Sequence, residues 1–294
     1  MISNNIIYLF YGIERSDIYN MSSIPGWIDN CINITNTYNK QSNISLISNV
    51  KYEHPDIHTI NIDEQQSLDL SDFKDNYVHL SSNHVHMERL CFERWFIMRN
   101  YMRKHNIARA IFLDVDVVCV QDLGEDFTIL EKYSATLSSG SSPHTNFVSL
   151  ECLESFCSFV SKIYADKSCN YWTTMNEWSN NMKYGGVCDM TLWKWYAAYY
   201  DDKVLTSIQT HNTGFDHTLR DTTGWDSTKI EWGTGTTAVK NLVANNGKIT
   251  CYNTSLNKHI NFKTIHYQGG PGKYWLNNIN IELLKESKDY YIFS

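Results

Sequence analysis

Two carboxylates one residue apart, Asp114 and Asp116, follow the run Ala110-Ile111-Phe112-Leu113 and precede a second run, Val117-Val118-Cys119-Val120. Ionised groups at the end of a buried strand cost on the order of several kcal/mol each unless a cation, hydrogen bonds or a metal satisfies them. On an extended backbone residues i and i+2 point the same way, so this spacing predicts a hard divalent cation held between the pair and a phosphate. A third partner is needed. Among eleven histidines His266 fits best, because it ends the expected strand Phe262–His266 and precedes Gly269-Gly270-Pro271-Gly272-Lys273. That segment reads as a loop whose N–H groups and lysine can wrap a diphosphate.

Further polar residues stand where apolar ones are expected. A helix from about Met87 to Lys104 puts Met87, Leu90, Cys91, Ile97, Met98 and Tyr101 on one arc with Arg94 at its centre. Such an arginine must be satisfied, either in an ion pair with the downstream acids or by donor phosphates. Asp189 precedes a helix over about Met190–Tyr200, where an N-cap is its simplest role. His84 and His86 alternate but nothing nearby completes a metal site, and they read as solvated loop histidines.

The elements that must position these residues alternate in type. A strand over Asn5–Tyr11 ends at Gly12, where the backbone can pass close to a ligand. Then come a helix over about Pro25–Tyr38, with Pro25 near its first turn, and strands at Ile44–Ser48 and His58–Ile62. This order indicates a parallel sheet, with ligands at the ends of its strands. Further on, strands are expected at Tyr133–Leu137, Val204–Gln209, Lys229–Trp232, Lys248–Tyr252 and Phe262–His266. A helix is expected at Leu150–Tyr164 and another after Trp275. The expected class is α/β, with a mixed, mainly parallel central sheet flanked by helices, in one domain over residues 1–294. No repeat, linker or low-complexity tract interrupts it.

Bulk properties narrow the partners. A net charge of −7 leaves no broad basic surface for a nucleic-acid backbone. The apolar run Ile6–Tyr11 is too short for a membrane span or a signal core, and a membrane span is not expected. Eight cysteines without a Cys-x-x-Cys pair suit reduced thiols and a cytoplasmic location. The 19 tyrosines and 9 tryptophans suit either a core or a sugar-stacking cleft, with Trp172, Trp178 and Trp193 as candidate platforms.

Leu113-Asp114-Val115-Asp116, an upstream helix arginine and His266-Tyr267-Gln268-Gly269 with Lys273-Tyr274-Trp275 together resemble the family 8 glycosyltransferases of the GT-A fold. The resemblance implies a Rossmann-like GT-A domain that moves a hexose, glucose or galactose, from a UDP-sugar to a glycan or glycoconjugate hydroxyl, with retention. It implies Asp114, Asp116 and His266 as ligands of Mn²⁺ or Mg²⁺, with Val115 between the two acids. Gly269 and Lys273 become diphosphate contacts, Tyr11 and Gly12 the nucleotide wall, and Arg94 a donor contact. Asp189 and Asn146 match positions near the transferred sugar. The likeness covers the nucleotide-binding part, about 1–123 plus 260–275, more closely than the acceptor part, about 140–258. Met190 stands where the family has Gln, the segment at Asn146 lacks the family's glycine, and the glycine-lysine loop is one residue longer. Two other readings use the same residues: a haloacid-dehalogenase-like phosphatase with Asp114 as nucleophile, or a non-catalytic carbohydrate-binding protein.

Overall fold

The computed structural model describes residues 4–12, 24–181, 185–210, 213–232, 235–278 and 290–293. Strand β1 (Asn5–Phe10) leads to helix α1 (Gly26–Tyr38), then β2 (Asn43–Ser48) and β3 (His58–Asn61). Helices α2 (Leu68–Asn76) and α3 (Val85–Lys104) follow, then β4 (Arg109–Leu113), β5 (Val117–Cys119), α4 (Gly124–Ile129), β6 (Ala135–Thr136) and β7 (Thr145–Ser149). The chain continues through α5 (Leu150–Ala165), α6 (Asn170–Asn180), α7 (Asp189–Tyr199), β8 (Val204–Leu205), β9 (Ser227–Trp232), β10 (Gly235–Lys240) and β11 (Val243–Asn245). Strands β12 (Lys248–Asn253), β13 (Lys258–Asn261) and β14 (Thr264–His266), helix α8 (Gly269–Asn278) and β15 (Tyr290–Tyr291) complete it.

The central sheet has the order β3-β2-β1-β4-β7, parallel from β3 to β4 with β7 antiparallel at one edge. This is the expected mixed, mainly parallel α/β sheet. Alternation along the strands explains its two covered faces. Ile6, Tyr8, Ile111 and Leu113 point into one core with α1 and the C-terminal strands. Ile7, Ala110 and Phe112 point into the other, with α3, α5 and α7. From β1 the chain proceeds to β2 on one side and later to β4 on the other, so the sheet changes direction between β1 and β4. Crevices outside the carboxyl ends of such a strand pair are where ligands bind in open α/β sheets.

Smaller sheets carry the remainder: the hairpin β9–β10, the four strands β13-β12-β11-β15, the parallel pair β6–β8 and the antiparallel pair β5–β14. The run from Ala108 to Val120 is therefore two strands joined by a turn, not one strand continuing past the acids. Pro25 is the N-cap of α1, next to its first turn as expected. The expected strand at Val204–Gln209 is shortened to β8, with a 3-10 turn over Ile208–Thr210. Helix α8 begins at Gly269, so the glycine-lysine segment is the first turn of a helix and not a loop. Helices α2 and α6 went unanticipated. All eight cysteines are free thiols. Among the described residues no helix is long and apolar enough to cross a membrane.

Candidate metal and diphosphate site

Strand β4 is buried along most of its length, and the chain leaves it at Asp114 through a turn closed by a hydrogen bond from the Val117 N–H to the Asp114 carbonyl (2.8 Å). The two acids thus converge because the chain turns, whereas an extended backbone had been expected. Val115, between them, packs on the core that includes β1. On the far side, Val117 pairs with His266 in the β5–β14 ladder, and the Tyr267 N–H donates to the Asp116 carbonyl (2.8 Å). These bonds bring a residue from the end of the chain to the acidic turn. Donor atoms of Asp114, Asp116 and His266 all lie within 4.8 Å of one another.

The protonation of His266 follows from its partner. Its Nδ1 lies 2.8 Å from the His217 carbonyl, which can only accept, so Nδ1 carries a proton. Neutral imidazole then offers its Nε2 lone pair towards the acids, the arrangement usual for a metal-binding histidine. Nε2 lies 3.4 Å from Asp116 Oδ1. Burial disfavours the imidazolium, but Asp116 and Asp114 outweigh it and raise the His266 pKa. Burial likewise opposes ionisation of Asp116, yet His266 and Lys273 together hold its carboxyl below the ordinary range. Burial raises the Asp114 carboxyl, opposed by Arg94 and reinforced by Asp116. Two carboxylates and an imidazole with a hydrogen-bonded outer nitrogen fit a divalent cation of the Mn²⁺ or Mg²⁺ type.

Arg94 lies between two acids. Its Nη1 donates to Asp114 Oδ1 and its Nη2 to Asp189 Oδ2, both at 2.6 Å, and its guanidinium carbon sits 4.7 Å from the centre of the Trp95 ring. The Trp95 indole N–H also donates to Asp189 Oδ2 (3.0 Å). Asp189 is the first residue of α7, and the cap is Cys188, so the N-cap role expected for Asp189 does not hold. Of the expected apolar arc of α3, Ile97, Met98 and Tyr101 are buried but Met87 is exposed, and Phe92, Trp95, Phe96 and Met102 are buried outside it.

Lys273, on the first turns of α8, places Nζ 3.6 Å from Asp116 Oδ2 and 4.9 Å from the centre of the Trp27 ring. Gly269 has φ +82, a conformation that glycine adopts without strain. At Gly272 an added Cβ would meet the Tyr267 carbonyl oxygen at 2.2 Å, so α8 approaches the β14 end more closely than any side chain allows. With its free N–H groups and a lysine, this helix end is suited to an anion. Tyr11 and Gly12 follow the end of β1, where Gly12 exchanges two hydrogen bonds with the Asn49 side chain (2.7 and 2.9 Å).

Not every expected residue reaches this place. Asn146 is fully buried; its Oδ1 accepts from the Thr136 N–H (3.0 Å), joining β7 to β6, and its Nδ2 has no partner among the described residues. Trp193 and Trp172 are core residues and offer no platform. His84 and His86 are both exposed, as expected; His84 precedes α3 as its N-cap, while His86 lies in the first turn of the helix and not in a loop. Conversely, His144 and His217 were missed. The His144 ring lies 4.2 Å from that of His266, tilted by 37°, and burial holds the pKa of both His144 and His217 down. Behind them Asp216 Oδ2 accepts from the His266 N–H (3.2 Å), while Lys240 pairs with Asp216 Oδ1 at 2.9 Å in full burial. No spacing pattern marks these residues; a lysine within the apolar stretch Ala238–Leu242 was the available signal.

No protein-family profile matches the chain, and no curated protein sequence does. Solved structures do show similarity. Mouse xyloside xylosyltransferase 1 in its apo form aligns at 11% identity and TM-score 0.46, over 71% of this chain and 86% of that one. The bifunctional glycosyltransferase WbbM aligns at 12% and 0.45, over 97% and 52%. The galactosyltransferase LgtC in complex with donor and acceptor sugar analogues aligns at 11% and 0.39, over 72% and 74%.

Proposed function

We propose that this chain is a metal-dependent glycosyltransferase that moves a hexose, glucose or galactose, from a UDP-sugar to a hydroxyl of a glycan or glycoconjugate, with retention. One observation carries the reading: Asp114, Asp116 and His266 converge within 4.8 Å at the ends of β4 and β14, beside Lys273 on the first turns of α8. A divalent ion bound by those three residues would neutralise charge on a diphosphate as it leaves the sugar. Lys273, now paired with Asp116, turns to the same diphosphate, where the α8 N–H groups add fixed dipoles. Tyr11, Gly12 and Val115 form the wall for the base and ribose. Residues of about 1–123 and 260–275 thus serve the donor, and about 140–258 the acceptor, in one domain.

Transfer breaks the bond between the anomeric carbon and the diphosphate oxygen, which keeps the electron pair. The acceptor oxygen forms the new bond and gives up its proton to the departing diphosphate. Asp189 has its Oδ2 locked by Arg94 and Trp95, so its part is to orient Arg94 towards the donor. The phosphatase alternative needs a free Asp114 carboxylate, whereas Arg94 holds it at 2.6 Å. A binding module would need no diphosphate cradle. The reading is tested with a panel of nucleotide sugars and Mn²⁺ by thermal shift and by release of free nucleotide. Stabilisation by UDP-sugars that needs both Mn²⁺ and His266 is expected; release of phosphate from simple monoesters with no nucleotide-sugar response refutes it.

A further inference from the structure

Donor atoms of Glu88, Cys188 and Asp189 form a second cluster, again within 4.8 Å of one another, on the opposite side of Arg94 from the acidic turn. Glu88 comes from α3, two turns before Arg94, while Cys188 and Asp189 open α7. Close backbone packing joins the two elements. Gly186 has φ +91, a Cβ there would lie 2.3 Å from the Leu80 carbonyl oxygen, and the Val187 N–H donates to that same oxygen (2.8 Å).

Glu88 is held by one oxygen: Oε2 accepts from Ser81 Oγ (3.0 Å) and Asn83 Nδ2 (2.7 Å), while Oε1 is buried with no hydrogen-bond partner among the described residues, in a residue only 1% exposed. Asp189 Oδ2 takes Arg94 and Trp95. Outer groups that hold one oxygen and leave the other free are the second-shell pattern of metal-binding carboxylates. Charge points the same way, because Asp189 and Asp114 share one guanidinium and the Asp189 carboxylate acts on Glu88, whose carboxyl burial already raises. Cys188 caps α7, where burial, with Asp189 beside it, pushes its thiol up to about 11, so an incoming cation must displace its proton.

We propose that Glu88, Cys188 and Asp189 form a second metal site, for a thiolate-seeking divalent ion of the Zn²⁺ type, distinct from the site for Mn²⁺ or Mg²⁺. One sulfur and two carboxylate oxygens select against the harder ions. Tetrahedral Zn²⁺ with bonds of about 2.0–2.3 Å sets its donors about 3.5 Å apart, so the cluster closes by roughly 1 Å through side-chain torsions. Three protein ligands leave a fourth position open. Binding displaces the Cys188 proton, and the site is independent of whether the chain transfers sugars.

The test is Co²⁺ titration of the chelator-stripped full chain. The wild type and the Asp116→Ala/His266→Ala variant are both expected to bind one equivalent with a thiolate-to-cobalt charge-transfer band that Zn²⁺ displaces. Cys188→Ser should abolish the band, and Glu88→Gln should weaken Co²⁺ binding at least tenfold. A mutation-free arm reads alkylation of Cys188 by peptide mass spectrometry, which one equivalent of Zn²⁺ should suppress. No band in the wild type, a band that survives Cys188→Ser, or Cys188 alkylated equally with Zn²⁺ present overturns the proposal.

Discussion

Arg94→Met isolates what the shared guanidinium does. Removing one partner of a buried ion pair leaves an uncompensated charge and costs about 3–5 kcal/mol. Asp189, with a side chain only 3% exposed, bears the full penalty, whereas Asp114, at 27%, recovers part of its hydration. The total therefore stays near that of one buried pair, despite two contacts of 2.6 Å. For a chain of this length about 2 °C of Tm accompanies each kcal/mol, so a fall of about 6–10 °C is expected in chelator at pH 7. The assay is calorimetry on the wild type, Arg94→Met, Asp189→Asn and the double variant. Neutralising Asp189 should relieve the arginine loss, with a coupling of at least about 1 kcal/mol. Mn²⁺ should restore part of the Tm of Arg94→Met, since an ion at the acidic turn again compensates Asp114 but not Asp189. A fall under 2 °C, or strictly additive variants, would refute the assignment of Arg94 as the shared counter-charge.

Three other outcomes are expected. UDP at about one hundred times its Kd with Mn²⁺ should stabilise the wild type by about 2.7 kcal/mol, read as a Tm rise of about 5 °C, and Asp116→Ala or His266→Ala should remove this response. Gly272→Ala drives a methyl into the Tyr267 carbonyl oxygen and should cost about 1–3 kcal/mol with loss of the same nucleotide response, as seen in paired denaturant and thermal-shift curves. Asp69 pairs with the buried Arg99 at 2.6 Å; burial opposes its ionisation, but Arg99 and Ser67 prevail and lower its pKa. Its contribution is thus complete above the unfolded value of about 3.9 and disappears as pH falls through the lower folded value. Wild type and Asp69→Asn should differ in Tm near neutrality and converge only in acid, and a constant gap down to the lowest pH would contradict the pairing.

The parts of the fold visible in the residues were those governed by local period. Apolar runs marked β1, β2 and β4, and the acids, His266 and Arg94 stood out because charged groups adjoined buried stretches. What escaped depends on tertiary partners. Nothing local says that the chain turns at Asp114–Val117 instead of running on, because Val117–Cys119 pairs with a strand more than a hundred residues away. Nothing local says that Asn146 accepts a hydrogen bond from the Thr136 N–H in full burial. Helix α3 misled because its second half is buried nearly all round, which erases a single apolar stripe. The glycines of α8 look like a loop until Tyr267 is found against Gly272. Asp189 looked like a cap because its long-range partners, Arg94 and Trp95, lie on another helix.

The pairing of β14 with β5 has a consequence for synthesis. The central sheet is complete once Ser149 has emerged, and the two acids are then already in their turn. His266 follows more than one hundred residues later, about 5–20 s at ordinary elongation rates. During that interval the carboxylate pair has neither the imidazole nor Lys273 and α8 beside it. The proposed nucleotide site is therefore complete only after β14 and α8 have been made. A fragment ending near residue 165 should fold its sheet, if it folds at all, without gaining affinity for a metal-bound diphosphate.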